Sequence, residues 1–149
     1  MSKPAGFPFK ETEISSDRSM SDLQTSLRML GFDVVAGTIQ DRRFVAAKHG
    51  KIEFRFEADV DRIIAKTKIR NREQAERIAW RYLAWQTKSL CDGVKLGLIE
   101  ITQAFGGYLV FRDPKSQQVR ALAGFIAEKV ESGELDSSQS MTNLIGYNG

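Results

Sequence analysis

The sequence predicts a single α+β domain, and three observations carry that reading. A segment of alternating apolar and charged residues, Ile52-Glu53-Phe54-Arg55-Phe56-Glu57, has the two-residue period of a half-buried strand. Leu23, Leu27 and Leu30 recur at helical spacing before Gly31, and a run free of proline from Asn71 to Leu96 is rich in good helix formers. At 149 residues with a hydrophobic fraction of 42% the chain can bury one core without staples. We place the domain at residues 21–133, between a flexible N-terminal tail over 1–20 and a polar C-terminal tail over 134–149.

The elements follow in order. Pro4, Pro8 and several serines leave the first twenty residues without periodicity, although Phe7 and Phe9 are candidates for docking. Ser21 is the expected N-cap of the first helix, and Gly31 suits the left-handed residue that ends it. Three strands are expected over 32–39, 42–48 and 51–57, joined by tight turns at Gln40-Asp41 and His49-Gly50 as an antiparallel meander. Residues 58–69 are mixed and basic and read as a loop or short helical turn. Asn71 caps the long helix and Gly97 ends it.

Thr102 is the expected cap of a short helix through Phe105, followed by a break at Gly106-Gly107. The apolar run Tyr108–Phe111 fits either strand or helix. Beyond an Asp113-Pro114 turn, Val119, Leu122, Ala123, Ile126 and Val130 form a helical stripe that stops before Gly133. Leu144, Ile145 and Tyr147 are candidates for a docking segment in the last tail. The expected order is therefore helix, three-stranded meander, long helix, short helix, helix, with the helices on one face of the sheet.

Charge is distributed unevenly. The formal net charge is +3, yet residues 42–95 hold 14 Lys and Arg against 7 Asp and Glu, while the remainder is acidic with 8 against 12. A basic middle favours polyanionic partners, whether nucleic acid or an acidic protein surface. On a 100° wheel Arg70, Arg77, Arg81, Lys88 and Lys95 fall within about 20° of one line, a basic ridge suited to tracking a phosphate backbone. Trp80 and Trp85 flank it, with indole faces on which unpaired bases can stack, or which pack against a neighbouring element. Ile78, Tyr82, Ala75, Ala79, Leu90, Leu83 and Val94 cover the far side as an apolar arc.

Arg42, Arg43, Lys48, His49 and Lys51 gather around the second hairpin as a supplementary phosphate contact. The ordinary alternative for the ridge is a solvated or salt-bridged helix face with Glu53, Glu57 or Glu73 as partners, and for the hairpin a charged guard on edge strands.

Enzyme chemistry has little to build on. His49 is the only histidine, which excludes a metal site made of imidazoles and disfavours a His-dependent triad. Cys91 has no second cysteine for an internal disulfide and reads as a packing residue in a reducing compartment. Glu57, Asp59 and Asp61 put three carboxylates within five residues, the one candidate for a divalent cation and for metal-dependent phosphoryl transfer. No phosphate-cradling glycine loop accompanies them, so no catalytic, metal or cofactor residues are assigned. With no apolar run near the roughly 20 residues of a membrane span, and no apolar centre in the first 20, a cytoplasmic protein without a membrane partner is expected.

From the long helix onward the chain resembles small uncharacterised proteins encoded by phages, prophages and other mobile elements. The resemblance rests on Glu76-Arg77, Trp80-Arg81-Tyr82-Leu83, Lys88, Gly97-Leu98-Ile99, Ala104-Phe105 and Tyr108-Leu109, about a third of the chain. The chain departs from the pattern at Asp113-Pro114-Lys115, where a glycine-containing turn is expected. The resemblance implies an accessory protein of the bacterial cytoplasm acting in phage DNA metabolism, with no activity attached. The order helix, three strands, helix is also similar to that of double-stranded-RNA-binding domains. The function expected is therefore DNA or RNA binding without catalysis. The alternative is a protein-interaction module that self-assembles or blocks a host protein, using the apolar arc of the long helix or the Tyr108–Phe111 run as its interface.

Overall fold

Ser15 decides where the first helix begins. Its backbone is extended and its side chain accepts from the Arg18 amide at 3.1 Å, satisfying one of the donors that a helix start leaves free. Helix α1 therefore runs Ser16–Met29, a turn and a half earlier than the expected cap at Ser21, and its first turn is stabilised by Asp17. The polar run Ser15-Ser16-Asp17-Arg18 hides this start, yet Ser19 and Met20 are already buried. The computed structural model describes residues 8–135, so Phe7 and the Leu144-Ile145-Tyr147 segment lie outside the described residues. Within the span read as a tail, Phe9 packs edge-on against Trp85, and Gln74 Nε2 donates to the Lys10 and Thr12 carbonyls.

Strands β1 (Asp33–Ile39), β2 (Arg42–His49) and β3 (Ile52–Glu57) form the expected meander. Gln40 and Asp41 both have positive φ, the pair of left-handed residues that a I′ hairpin requires. The second turn is Gly50-Lys51 and not His49-Gly50, because His49 still pairs with Ile52 and belongs to β2. Phe54 and Phe56 point to the core and Glu57 to solvent, as the alternation requires.

The sheet then gains two strands. Helix α2 (Val60–Thr67) occupies the basic stretch after β3, capped by Asp59, whose carboxylate accepts from the Arg62 amide. Helix α3 (Arg72–Lys95) starts at the expected Asn71 cap, and the short helix α4 (Ile101–Phe105) starts after Glu100, not Thr102, with the Glu100 amide donating to Gln103 Oε1. The ambiguous apolar run becomes strand β4 (Leu109–Arg112), pairing Leu109 with Phe54. Val119, expected on the last helix, lies on strand β5 (Val119–Ala121), and helix α5 (Leu122–Glu131) carries the rest of that stripe. The result is an α+β domain with a five-stranded antiparallel sheet in the order β1-β2-β3-β4-β5.

α1 and α3 pack together over one face of the sheet. Leu23 and Leu27 from α1, Val45, Ala47, Phe54 and Phe56 from the strands, and Trp80 and Leu83 from α3 meet in one buried cluster. Phe105 closes it, with its ring 5.8–6.1 Å from those of Phe32, Phe54 and Phe56. Each such side chain contributes about 1.5–3 kcal/mol by leaving water, which makes this cluster the main support of the fold. Among the described residues no helix is long and apolar enough to cross a membrane.

Candidate functional site

The wheel drawn from sequence treats the ridge as one solvent-facing line, and the fold divides it. Arg70 precedes the Asn71 cap and so is not on the helix at all. Arg77 donates to Glu73 at 2.9 Å, and Arg81 reaches α1 and donates to Asp22 at 3.1 Å with its side chain only 14% exposed. α1 crosses this side of α3, so the line's first half is an interhelical seam whose cations are already paired. Lys88 and Lys95, beyond the seam, are exposed and make no ion pair among the described residues.

The hairpin cluster is also divided. Arg42 and Arg43 open β2 at the first hairpin, whereas Lys48 and Lys51 lie at the second; Lys48 is five positions along the strand from Arg43, about 17 Å. All but Arg43 of these four are exposed, and Arg43 is held by Asp17 and, at 3.2 Å, by Glu76. What the fold does bring together is Arg42, Arg43 and Arg77, which line a cleft of about 570 Å³ with Arg72, between the first turns of α1, α2 and α3. Asp17, Asp41, Asp61, Glu73 and Glu76 line the same cleft. Asp61 shows the balance: a hydrogen bond from Arg72 and its charge hold the carboxyl below the usual range. Arg43 and Arg72 cross-link the three helices through these carboxylates and Arg77 pairs within α3, while five carboxylates against four guanidiniums leave the cleft without an excess of positive charge for a phosphate.

The two tryptophans have opposite fates. Trp80 is fully buried in the core, beside α1. Trp85, one and a half turns on, is 56% exposed, and its ring lies 5.9 Å from that of Tyr82, itself 40% exposed. Placing Tyr82 in the apolar arc therefore overlooked its exposure. Tyr82 also walls an apolar groove of about 450 Å³ between α2 and α3, lined as well by Arg62 and Lys66 and by Glu57 and Asp59. An aromatic pair three residues apart, followed three residues later by Lys88, was the sequence signal for this surface. Arg62 and Lys66 go unassigned when residues 58–69 are read by their mixed, basic composition, although Val60, Ile63 and Ile64 recur at helical spacing.

The remaining candidates take structural roles. Asp59 is spent on its cap, Asp61 on Arg72, and Glu57 lies exposed at the end of β3; among the described residues no group of three His, Cys, Asp or Glu is placed to hold a metal ion. The His49 ring packs 5.3 Å from that of Phe32. Cys91 is buried, and burial pushes its thiol up to about 11. Of the two stretches read as interfaces, Ala75, Ile78, Ala79 and Leu83 in the arc are buried and Tyr108 and Leu109 pack against the core, whereas Tyr82 is exposed. No protein family, curated protein or solved structure matches the chain.

Proposed function

We propose that this chain is a non-enzymatic nucleic-acid-binding accessory protein that holds unpaired bases on the Trp85-Tyr82 surface of α3. The observation that supports it is the exposure of that aromatic pair, with Lys88 three residues on along the same helix and Arg62 and Lys66 lining the groove that Tyr82 walls. Two large rings side by side in water form an exposed apolar patch, and bases stack on aromatic faces whatever their identity. Flanking ammonium and guanidinium groups take the phosphates, releasing counterions. The phage or mobile-element setting implied by the sequence resemblance accords with such a role.

Anisotropy of labelled single- and double-stranded oligonucleotides between roughly 50 and 300 mM salt tests it, because phosphate contacts make affinity fall steeply over that range. Trp85→Ala and Tyr82→Ala are expected to weaken single-strand binding by about tenfold or more each, the loss of one stacked base. Lys88→Glu lowers the salt slope, and Arg77→Met leaves both unchanged. Absence of binding at the lowest salt, or binding indifferent to Trp85 and Tyr82, overturns the proposal.

A further inference from the structure

We infer that β1 is the pairing edge of a twofold dimer, in which a second copy of this chain continues the sheet antiparallel across Ala36. This goes beyond the nucleic-acid reading and does not depend on it. Among the described residues β1 is an outermost strand, paired on one side only. Exposed edges are ordinarily blunted by lysine, proline, a bulge or shortness. β1 has none of these: Asp33-Val34-Val35-Ala36-Gly37-Thr38-Ile39 contains no Lys, Arg or Pro, and pairs residue for residue with β2 over its whole length. Val35 and Ile39 are 64% and 47% exposed.

The register follows from the hairpin. A two-residue turn is closed by a hydrogen-bonded pair, here Ile39 with Arg42, and bonded pairs then alternate along the ladder. Asp33, Val35, Gly37 and Ile39 thus bond to β2, and the amides and carbonyls of Val34, Ala36 and Thr38 face outward. These three positions are symmetric about Ala36. A second β1 laid antiparallel pairs Ala36 with Ala36 and Val34 with Thr38 twice, giving about six backbone hydrogen bonds.

Side chains fit the same register. Val35 then stands opposite the partner copy's Gly37, where the Phe44 ring lies so close that an added Cβ would sit 2.9 Å from its Cζ. Small opposes large, and the exposed valine gains an aromatic ring to pack on. Asp33, which faces Lys48 on its own β2, stands opposite Ile39 of the other copy, with Arg42 one strand beyond. No like charges are therefore brought directly opposite one another at the ends of the paired strands.

Sedimentation velocity of the full chain over a range of concentrations, without nucleic acid, tests this. Wild type is expected to sediment as a dimer, and Ala36→Pro and Val35→Lys as monomers of half the mass. The proline removes only an outward amide and leaves the β1–β2 ladder intact; the lysine is an independent block, and circular dichroism checks both folds. Amide exchange gives a second readout, with Val34, Ala36 and Thr38 protected only at dimer-forming concentrations. A wild-type monomer throughout, a dimer that survives both folded variants, or fast exchange of those three amides in the dimer overturns the inference.

Discussion

Arg81 on α3 donates to Asp22 on α1 at 3.1 Å, and this one contact converts a cation read as part of a binding surface into a clamp between the two main helices. The guanidinium is nearly covered while the carboxylate is half exposed, so the pair is neither a buried ion pair nor a free surface one. Asp22→Ala strands a desolvated charge, but water still reaches the site. The expected destabilisation is about 1 kcal/mol, at the top of the range for exposed pairs and well short of a buried one. Urea unfolding measures it. Arg81→Met, which keeps the apolar stem, is expected to cost less and to leave oligonucleotide affinity unchanged.

The tryptophans separate fold from function. Trp80→Ala empties a fully buried site at the junction of α1, α3 and the sheet, and is expected to cost about 3–5 kcal/mol, a large share of the stability of a domain this size. Trp85→Ala removes a ring already more than half in water, and its expected effect on the unfolding free energy is small, about 0.5 kcal/mol. Equal losses for the two variants would contradict the burial seen here.

Much of the fold was legible because local signals agreed with global ones. The β3 alternation, the Asn71 cap and Gly31 and Gly97 as helix stops each name one conformation, and each holds. What was missed had conflicting local chemistry. Val119 has a period that suits α5 but is drawn into pairing with Arg112 on β4, and Ser15 and Ser21 are equally good caps by composition. Only the burial of Ser19 and Met20 decides between them. The candidate site was less legible still, because the wheel gives directions around α3 but not which neighbour occupies each. Arg77 and Arg81 share a direction with Lys88, and only the path of α1 distinguishes them.

Both principal helices end alike, which allows a paired test. In α1 the Gly31 amide donates to Arg28 and the Phe32 amide to Leu27; in α3 the Gly97 amide donates to Val94 and the Leu98 amide to Gly93. These are Schellman ends, and Gly31 and Gly97 sit at φ of 96° and 77°, where a Cβ is strained although space around it is open. Gly31→Ala and Gly97→Ala are each expected to cost about 1 kcal/mol in urea unfolding. The two costs should add in the double variant, since no partner is shared between the sites.

Cys91 gives a prediction in pH. Burial in the core raises its thiol from an ordinary 9.0 to about 11, outweighing the nearby Lys95, which pulls the other way. The folded state therefore favours the protonated thiol more than the unfolded state does. Its contribution to stability is complete below pH 9.0 and is lost as pH rises toward 11. A Cys91→Ala variant, measured against wild type by urea unfolding across that window, should show a shallower alkaline decline. At neutral pH the same burial predicts slow modification by a thiol-specific disulfide reagent in native buffer and rapid modification in urea, because the reactive thiolate is scarce and covered. Fast labelling of the native protein would mean that this part of α3 opens far more readily than its packing in the core cluster allows.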